Sequence, residues 1–470
     1  MKGIVALKVG LCYTFSGLEA LDMKNFTLFQ ALNACGGQML GHTEEDRELG
    51  RVVIDSRKVE PGDLFVAYKG EKTDGHAYVS TALDKGAAAC LVEHPVEGET
   101  RPQILVPDVQ KALERIAAAY RKTLSLPVIG ITGSVGKTSA KEMIAAVLSS
   151  RYSVLKTEGN LNNQIGVPMT LSRIEPEHDA AVVEMGISGF GEMSTLAEMA
   201  RPTIGVFTVI GHAHLEFLHD LDGVFRAKTE MLSYLPKDGT VIVNGDDSYL
   251  RALRCEQRKL CVGQGEDCDV RAVDIHPTLD GKTACTIVYG SRRVAVQIPA
   301  FGKHMICAAL EGAAVGFVMG LSDAEIAEGI SRFHAVGRRA AVGDTGFVTL
   351  IDDSYNANPD SVKCGIDSLM TLPGRHVAIL GDMLEMGETG KELHEDVGRY
   401  AREKGVDALY ASGPLGRWFV EGFGTPGRYF ESQEALIAAL PKLLRKGDAV
   451  LVKASLGMRY DKVVEGIRQL

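Results

Sequence analysis

The sequence predicts an α/β protein of three domains, with mostly parallel, doubly wound sheets in its second and third domains. The chain has 470 residues, too many for one ordinary core, which favours about three domains of roughly 150 residues each. Its apolar fraction of 45% and charged fraction of 24% are typical of a soluble globular protein. From residue 126 onward, apolar strand-like runs alternate with helical patterns, as in a parallel sheet covered by helices.

Residues 1–22 read as an extension that precedes the first domain. They resemble a weak signal peptide, but Lys8 interrupts the apolar run and no small-residue cleavage site follows. Met23 then begins an ordinary helix-and-turn segment. We therefore expect residues 1–22 to be a non-essential N-terminal extension.

The first domain is predicted at 23–125. RVVIDSRKVEPGDLFVAYKG at 51–70 alternates apolar and polar residues around a Pro-Gly turn, which predicts short strands. A helix and a strand follow in HAYVSTALDKGAAACLVEH, and a helix is expected at 108–124. Pro127 marks the next boundary.

The second domain is predicted at 126–335 and the third at 336–470. In the second, the predicted strands are LPVIGITG, AAVVEMG, TIGVFTVIG and GTVIVNGDD, separated by helices that begin at Thr138 and lie near 192–200 and 224–235. The third domain begins near Gly337 and repeats the pattern with FVTLIDDSYN, RHVAILGD, VDALYASG and DAVLVKAS. Both domains therefore read as parallel sheets with crossover helices.

Charge and cysteine usage exclude several classes of protein. A formal charge of −10 argues against a nucleic-acid binder, which carries a basic excess. Nine cysteines without a CxxC pair read as reduced, buried thiols, so we expect a cytoplasmic protein. No apolar run reaches the roughly 18 residues of a membrane span, so we expect no stable membrane insertion.

The segment IGITGSVGKTSAKEM at 129–143 places glycines, a lysine and a threonine between a buried strand and a helix. The usual P-loop pattern has a glycine five positions before the glycine of GK[ST], and Ile131 takes that place here. The glycines fall instead at Gly130, Gly133 and Gly136. The segment therefore does not match the strict P-loop pattern, because its glycines are shifted along the chain.

The position of this loop still favours a phosphate. GSVGK lies where the carboxyl end of a strand meets a helix N-terminus, and free N–H groups and the helix dipole there attract an anion. Lys137 would reach the terminal phosphates, and the Thr138 hydroxyl would ligate Mg²⁺. A plain strand–turn–helix connection needs no Lys-Thr pair after its last glycine. We therefore predict an ATP-binding loop that consists of Gly133, Ser134, Val135, Gly136, Lys137 and Thr138.

Four more polar residues lie at the ends of apolar strands of the same predicted sheet or in the segments that follow them. Glu184 ends a strand, where a carboxylate needs a partner, a cleft or a role as a helix cap. His212 and His214 follow the next strand, and we interpret His212 as a structural histidine. Lys228 lies on a later helix, where an exposed lysine is the common case. Because the carboxyl ends of parallel strands meet at one edge, Glu184, His214 and Lys228 are candidates for one site.

These motifs resemble those of the Mur ligases, the ATP-dependent ligases of peptidoglycan synthesis. The matching segments, in the family's order, are TGSVGKT at 132–138, NLNNQIGVP at 160–168, VEMGISGFGEMSTLAEMARP at 183–202, AHLEF, AKTEM, VNGDD, GRRAAV, DDSYNANPDS, LGDMLEMGE and VKAS. DSRKVEPGDLFVAYKGEKTDGHAY at 55–78 is similar to the family's UDP-binding domain. The resemblance runs from about residue 25 to the last residue. Departures from the family pattern occur at Val209, Met305, Ala308 and Leu456.

The resemblance implies an α/β UDP-binding domain, a P-loop ATPase domain and a Rossmann-like C-terminal ligase domain. It implies ATP and Mg²⁺ as cofactors, and a reaction in which an amine displaces phosphate from an acyl phosphate. As catalytic residues it implies Lys137, Glu184, His214 and Lys228. In some members of the family the lysine that matches Lys228 is carbamylated. As Mg²⁺ ligands it implies Thr138, Glu184 and His214.

The remaining site residues are also implied by the resemblance. Nucleotide contacts beyond the loop would come from Asn163, Asn244, Arg338 and Asp353. The UDP-sugar would contact Ser56, Arg57, Lys69 and His76. The incoming amine or the acyl phosphate would face Asn356, Asn358, Lys453 and Ser455.

The same resemblance favours one branch of the family. The DNPR tetrapeptide of relatives that add diaminopimelate is absent, and NANPD at 356–360 occupies its region. We therefore expect an acid–D-amino-acid ligase that joins D-alanyl-D-alanine to UDP-N-acetylmuramoyl-tripeptide. We also expect a monomer, with closure of the third domain to complete the site.

Three alternatives remain open at this point. A sister ligase would add a different amino acid, and a folylpolyglutamate synthase-like enzyme would share the loop and the metals. A P-loop switch or kinase would bind ATP to drive a conformational change. The UDP-type first block counts against the folate enzyme, and DDSYNANPDS counts against a simple kinase.

Overall fold

The computed structural model describes residues 23–43, 46–70, 73–278, 282–300, 302–334 and 341–470. The predicted extension at 1–22 and the predicted boundary after residue 335 lie outside the described residues. The described chain divides into two compact units. The first unit comprises the described residues up to Gly130 with Tyr152–Met185 and Ser194–Thr203, and the second comprises Ile131–Arg151, Gly186–Met193 and Ile204–Leu470. The three predicted domain ranges stay a prediction.

The first block of the chain forms a five-stranded sheet with the order β2-β7-β6-β5-β4. Strand β2 is antiparallel to β7, and the other pairs are parallel. The strands predicted within 51–70 and the helix predicted at 108–124 are confirmed as β4, β5 and α3. The elements in order are β1 (Met23–Thr27), α1 (Leu28–Cys35), β2 (Gln38–Leu40), β3 (Glu48–Leu49), β4 (Val52–Val53), β5 (Leu64–Val66), α2 (Val79–Asp84), β6 (Ala89–Val92), β7 (Gln103–Leu105) and α3 (Val109–Thr123).

The central part of the chain alternates strands and helices, as predicted. The helix predicted from Thr138 starts one residue earlier, and the one predicted near 224–235 is α8 followed by a 3-10 turn. The elements are β8 (Val128–Thr132), α4 (Lys137–Leu148), β9 (Val154–Lys156), α5 (Gly166–Leu171), β10 (Ala180–Glu184), α6 (Glu192–Ala200), β11 (Ile204–Phe207), α7 (Leu215–Leu218), α8 (Leu221–Thr229), β12 (Thr240–Asn244), α9 (Ser248–Ala252), β13 (Arg258–Gly263), β14 (Val270–Pro277), β15 (Thr283–Tyr289), β16 (Arg292–Ile298), α10 (Lys303–Val318) and α11 (Asp323–Ser331).

These strands pair in parallel except at one end. In the first unit, β9 and β10 are parallel. In the second unit, β11, β12, β13 and β14 pair in parallel in that order, whereas β14, β15 and β16 are antiparallel neighbours. The antiparallel strands were not predicted. Strand β16 alternates buried and exposed positions, so it lacks the continuous apolar run of a strand that is covered on both faces.

The third block forms a six-stranded sheet with the order β17-β18-β22-β19-β20-β21. Strand β17 is antiparallel to β18, and the other pairs are parallel. All four predicted strands are present. The elements are β17 (Ala341–Asp344), β18 (Thr349–Asp353), α12 (Pro359–Leu369), β19 (His376–Gly381), α13 (Gly390–Lys404), β20 (Ala408–Ser412), α14 (Gly416–Phe423), β21 (Arg428–Phe430), α15 (Gln433–Leu443), β22 (Ala449–Lys453) and α16 (Asp461–Arg468).

Helices cover both faces of this sheet, which explains why its strands are apolar throughout. On β19, Ala378 and Leu380 pack in one core with α12, α13 and α14. Val377 and Ile379 point the other way, into a second core with α15 and α16. Successive side chains of a strand face opposite sides, so a strand buried on both faces reads as a continuous apolar run. The predicted doubly wound α/β class is confirmed.

Two further sequence expectations can be compared with the described residues. The cysteines there are free thiols, but the prediction that they are buried is wrong for Cys364, which is exposed. None of the helices described is long and apolar enough to cross a membrane.

Candidate functional site

The predicted ATP loop is a tight connection between β8 and α4. Gly133 and Gly136 have φ angles of +153° and +87°, which L side chains rarely adopt. A Cβ on Gly133 would lie 2.0 Å from Oγ1 of Thr208, so the close approach also requires glycine. Ile131, at the usual P-loop glycine position, is fully buried in β8. The shifted glycines therefore sit where this backbone turns.

Hydrogen bonds dock the loop on the segment after β11. The Ser134 N–H donates to Val209 O at 2.8 Å. The Ser134 hydroxyl donates to Gly211 O at 2.9 Å, and the Gly211 N–H donates to Ser134 Oγ at 3.0 Å. Lys137 folds over the loop, with Nζ 2.7 Å from Gly133 O. The result is a rigid cradle at the N-terminus of α4, with an ammonium group above it.

Lys228 on α8 lies in the same unit and is 1% exposed. Burial lowers its pKa well below the usual value, and the charge of Lys137 lowers the pKa further, whereas Glu192 raises it. The alternative that Lys228 is an ordinary exposed lysine is therefore wrong. Glu230, two residues further along the chain, accepts a hydrogen bond from the Gly191 N–H at 3.0 Å.

His212 and His214 have different partners. The N–H and Nδ1 of His212 bond to Asp360 Oδ2 at 2.6 and 3.1 Å, and the hydrogen bond to Asp360 raises the pKa of His212. This pairing agrees with a structural role. His214 has left-handed backbone (φ +57°) and its Nδ1 is 2.5 Å from Glu385 Oε2. Since a carboxylate only accepts, Nδ1 carries the proton, which leaves Nε2 as the ligating atom.

Glu184 ends β10 and is fully buried. In the same unit, the Asn162 side-chain amide donates to Glu184 Oε1 at 2.8 Å, and Thr157 Oγ1 accepts the Glu184 N–H at 3.0 Å. Asn163, a predicted nucleotide contact, accepts the N–H groups of Ile165 and Gly166 in the turn that leads into α5. Sequence reasoning did not single out Asn162. The only signal for it was the pair of asparagines in NLNNQIGVP.

Asn244, a predicted nucleotide contact, is the last residue of β12 and is buried. Its side-chain oxygen accepts the Asp246 N–H at 3.0 Å. Asp247 Oδ2 accepts the Ile210 N–H at 2.8 Å. The turn after β12 is thereby tied to the same segment that holds the ATP loop.

The predicted residues of the third block gather at the carboxyl ends of β18 and β22. Asp353 and Lys453 are opposite each other in the parallel register, with Nζ 2.5 Å from Asp353 Oδ2. Lys453 Nζ also donates to Asn356 O at 2.8 Å. Ser455 Oγ donates to Ala357 O and accepts the Leu384 N–H.

The remaining predicted residues of the third block are Asn358 and Arg338. Asn358 is the N-cap of α12, where its Oδ1 accepts the Ser361 N–H. Arg338 lies outside the described residues, so its predicted nucleotide contact stays a prediction.

The four predicted UDP-sugar residues lie in turns and loops of the first block, and Ser56 and Arg57 share one turn. Ser56 starts a 3-10 turn after β4 and is buried, whereas Arg57 is 86% exposed and pairs with Asp55. Lys69 is exposed. His76 is buried, with Nδ1 2.7 Å from Asp74 Oδ1 and Nε2 accepting the Glu93 N–H at 2.9 Å.

These bonds occupy both ring nitrogens of His76. A direct hydrogen bond from the ring to a substrate would require one of the two bonds to break. The neighbouring Asp74, His76 and His94 have ligand atoms within 4.8 Å of one another, but the two rings are stacked at 4.0 Å. Parallel rings cannot both aim an in-plane lone pair at one ion, so this cluster is not a metal site.

The departures from the family pattern also have positions in the structure. Met305 and Ala308 on α10 are buried, so both of these side chains pack in the interior. Val209 contributes its backbone carbonyl to Ser134. Leu456 is 43% exposed, directly after Ser455.

Comparisons with known proteins agree with this arrangement. Three family models match the chain: "Mur ligase family, catalytic domain" at residues 48–121, "Mur ligase middle domain" at 131–316 and "Mur ligase, glutamate ligase domain" at 332–456. The UDP-N-acetylmuramoyl-tripeptide–D-alanyl-D-alanine ligase of Synechocystis sp. is 37% identical over 457 residues, which cover 96% of this chain and 97% of the relative. The Escherichia coli ligase of the same name is 35% identical and covers 95% and 99%.

Solved structures give the same result. MurF from Acinetobacter baumannii superposes with a TM-score of 0.87 at 30% identity, covering 95% of this chain and 99% of that one. MurF from Thermotoga maritima in complex with ADP gives a TM-score of 0.79 at 28% identity, with coverage of 89% and 97%. The chain belongs to the Mur ligase family, as its motifs predicted. Within that family, its similarity over nearly its whole length is to the MurF type.

Proposed function

We propose that the protein is an ATP-dependent ligase of peptidoglycan precursor synthesis. It joins D-alanyl-D-alanine to UDP-N-acetylmuramoyl-tripeptide and releases ADP and phosphate. The observation that carries this proposal is the docked glycine cradle beneath Lys137, in a chain whose relatives of nearly the same length are named for this reaction. Left-handed glycines, a helix N-terminus and an ammonium group together suit the phosphates of ATP.

The reaction requires activation of a carboxylate, which is a poor electrophile. The tripeptide carboxylate attacks the γ-phosphorus of ATP, the bond to the β-phosphate oxygen breaks, and an acyl phosphate forms. The D-alanyl-D-alanine amine then attacks the acyl carbon, and phosphate leaves. In phosphoryl transfer the protein chiefly positions the groups and stabilises charge. The N–H groups of the loop and the Lys137 ammonium would hold the β- and γ-phosphates.

We assign the Mg²⁺ ligands to Thr138, Glu184 and His214. Mg²⁺ prefers oxygen ligands, and Glu184 offers a fully buried carboxylate whose orientation Asn162 fixes. His214 offers Nε2, because Nδ1 is bonded to Glu385. When bound, Mg²⁺ supplies positive charge that offsets the repulsion between the carboxylate and the γ-phosphate.

The third block would receive the amine and the acyl phosphate. We propose that Asn356, Asn358, Lys453 and Ser455 face these groups, and that Arg338 and Asp353 contact the nucleotide. Lys453 is 3% exposed and paired with Asp353, so its ammonium is fixed in direction. A fixed cation of this kind stabilises the negative charge of a tetrahedral intermediate.

The first block would bind the UDP-sugar. Arg57 and Lys69 present exposed cations, which suit a pyrophosphate. Ser56 and His76 are buried close to these turns, and we assign them to the same subsite. Asn163 and Asn244 complete the proposed nucleotide contacts. We further propose that the enzyme works as a monomer in the cytoplasm, where ATP is supplied, without a nucleic-acid partner.

A substrate panel tests the function. Phosphate release is measured with ATP and each UDP-muramoyl-peptide and amine, alone and in pairs. We expect release only when the tripeptide nucleotide and D-alanyl-D-alanine are both present, and mass spectrometry should show the pentapeptide product. Release with ATP alone would instead identify a switch ATPase, and release with a folate and glutamate would identify the folate-type ligase.

A further inference from the structure

A continuous set of hydrogen bonds begins at His76, deep in the first block. His76 Nε2 accepts the N–H of Glu93 at 2.9 Å. The carboxylate of Glu93 then accepts the N–H of Val109 at 3.1 Å. Val109 is the first residue of α3, so the turn that carries His76 fixes the start of this helix.

The next residue of α3 continues the connection to a distant loop. Gln110 Nε2 donates to Gln164 Oε1 at 2.8 Å and also lies 3.3 Å from Glu114 Oε1. Both facing atoms are oxygens, so the two hydrogens of the Gln110 amide are oriented toward acceptors. Gln110 and Gln164 are 54 positions apart, and the bond joins α3 to the loop before α5.

That loop holds the carboxylate proposed to bind Mg²⁺. Asn162, two residues before Gln164, donates to Glu184 Oε1 at 2.8 Å. Between them, Asn163 accepts the N–H groups of Ile165 and Gly166 in the turn that leads into α5. A Cβ on Gly166 would lie 2.3 Å from the backbone of Leu161, so the loop that carries Asn162 and Gln164 is closely packed.

We propose that Gln110 and Gln164 are a positioning pair that couples occupancy of the first block to the orientation of Glu184. When the UDP-substrate binds at the turn of His76, it stabilises the start of α3. The Gln110–Gln164 hydrogen bond then stabilises the loop that positions Asn162. The Glu184 carboxylate is then held ready for Mg²⁺ once the substrate to be activated is bound. The inference rests on the proposed function, because it takes the UDP-sugar and Mg²⁺ as the ligands of the two ends.

Coupling of this kind has a thermodynamic signature. If the UDP-substrate strengthens metal binding by some factor, the metal strengthens UDP-substrate binding by the same factor. A series of contacts alone does not demonstrate coupling, so the ratio of the two metal affinities must be measured. Mn²⁺ with a non-hydrolysable ATP analogue serves as the metal probe, detected by electron paramagnetic resonance.

The test compares Gln110→Ala, Gln164→Ala and the double variant with the wild type and with Lys111→Ala. Lys111 is exposed on the same helix and is the matched control. Calorimetry gives the affinity for UDP-muramoyl-tripeptide alone. The Mn²⁺ dissociation constant is then measured with and without that substrate, and amide hydrogen exchange of residues 160–166 is followed on substrate addition.

In the wild type and Lys111→Ala, we expect the substrate to tighten Mn²⁺ binding about fivefold or more and to protect the 160–166 amides. In both single variants the affinity for the UDP-substrate should stay within about twofold of wild type. The ratio of the Mn²⁺ dissociation constants measured without and with that substrate should fall to about one. The double variant should give the same ratio of Mn²⁺ dissociation constants as either single variant, because both substitutions remove the same hydrogen bond.

An unchanged Mn²⁺ ratio in the variants would overturn the proposal, as would equal loss of UDP-substrate affinity and metal affinity. If one variant fails to fold, the other removes the same hydrogen bond and decides the question. The outcome is separable from the proposed function: an inactive wild type in the substrate panel refutes the function, whereas an active wild type without Mn²⁺ coupling refutes only the positioning pair.

Discussion

His214 donates from Nδ1 to Oε2 of Glu385 at 2.5 Å, although the two residues are 171 positions apart in the chain. Both have left-handed backbone, with φ angles of +57° and +63°. Non-glycine residues in this region are strained, and such strain clusters at functional sites. The bond therefore fixes one ring orientation for a residue proposed to bind a metal.

Glu385→Gln tests that orientation. The hydrogen bond from His214 lowers the pKa of Glu385, so the ionised carboxylate is the form that holds the imidazole. Loss of a partner of this kind typically costs 10- to 100-fold in metal affinity or activity, and we expect a fall of about that size, with a raised Mg²⁺ requirement. Mg²⁺ titrations of phosphate release measure it. Glu388→Gln, at an exposed neighbour, should behave as wild type; an unaltered Mg²⁺ requirement in Glu385→Gln would contradict the assignment.

Lys137→Ala should abolish ligation while the first block still binds the UDP-substrate. The Lys137 ammonium lies over the glycine cradle, and a contact that tightens during phosphoryl transfer affects turnover by orders of magnitude. Phosphate release and calorimetry with UDP-muramoyl-tripeptide measure the two effects. Lys237→Ala, at a lysine that is 88% exposed, is the control. Turnover like that of the wild type in Lys137→Ala would refute the phosphate loop.

Lys228 should be carbamylated. The reaction joins the uncharged amine to CO₂ and releases one proton, and burial shifts Lys228 toward the uncharged form. The modification places an anion beside Lys137 that is able to help hold a second metal. Lys228→Ala should lose activity, a small carboxylate should partly restore it, and removal of bicarbonate should slow the wild type. Electron density for a bare ammonium in a nucleotide–Mg²⁺ complex, together with failed rescue, would dispose of the idea.

D-Alanyl-D-alanine should be preferred over free diaminopimelate or lysine as the amine. A dipeptide site uses a second carbonyl and a terminal carboxylate, and NANPD contains two asparagines whose amides suit them. A diamino-acid site would need a partner for the distal ammonium group. Competition between the amines, followed by product mass, measures the preference. Faster phosphate release with lysine and a UDP-muramoyl-dipeptide would place the enzyme in a sister branch.

Glu311→Gln should stabilise the protein in alkaline solution. Glu311 is 1% exposed on α10 and accepts a hydrogen bond from the Cys307 thiol at 3.5 Å, and burial raises its pKa from 4.5 to about 8. Between these values the unfolded chain releases a proton that the folded chain keeps, so stability falls as pH rises through this window. The variant lacks this loss and should be more stable at pH 9 by on the order of 1 kcal/mol or more.

Urea unfolding of wild type and Glu311→Gln at pH 5 and pH 9 measures this difference. Glu403→Gln, at an exposed glutamate, should leave the pH dependence as in the wild type. Equal pH slopes for wild type and Glu311→Gln would show that Glu311 ionises normally in the folded protein.

The sequence was informative where periodicity and chemistry act locally. Apolar runs located the strands of both doubly wound regions, and the shift of Gly133 and Gly136 was visible in the motif. The side-chain partners were not predictable in the same way. Asn162 and Asn163 are neighbours of the same type, and only the turn of the loop determines which one bonds Glu184.

Hydrogen-bond partners that are far apart in the chain were likewise not predictable from the sequence. Nothing near His214 in the sequence indicates Glu385, because the contact depends on how two loops far apart in the chain meet. The ring nitrogens of His76 are both occupied by groups from its own block, which a motif cannot reveal. The antiparallel strands β14 to β16 were not predicted, because a strand with one exposed face has a weaker apolar pattern in the sequence.

The order of the third sheet has a consequence for biosynthesis. Strand β22 lies between β18 and β19, yet the ribosome makes it after every one of its sheet neighbours. Until Ala449–Lys453 emerges, β18 and β19 each present an unpaired edge, a template for association with other nascent chains. A premature stop before Ala449 would thus remove the middle of the sheet, and we expect such a product to be recognised as misfolded and degraded.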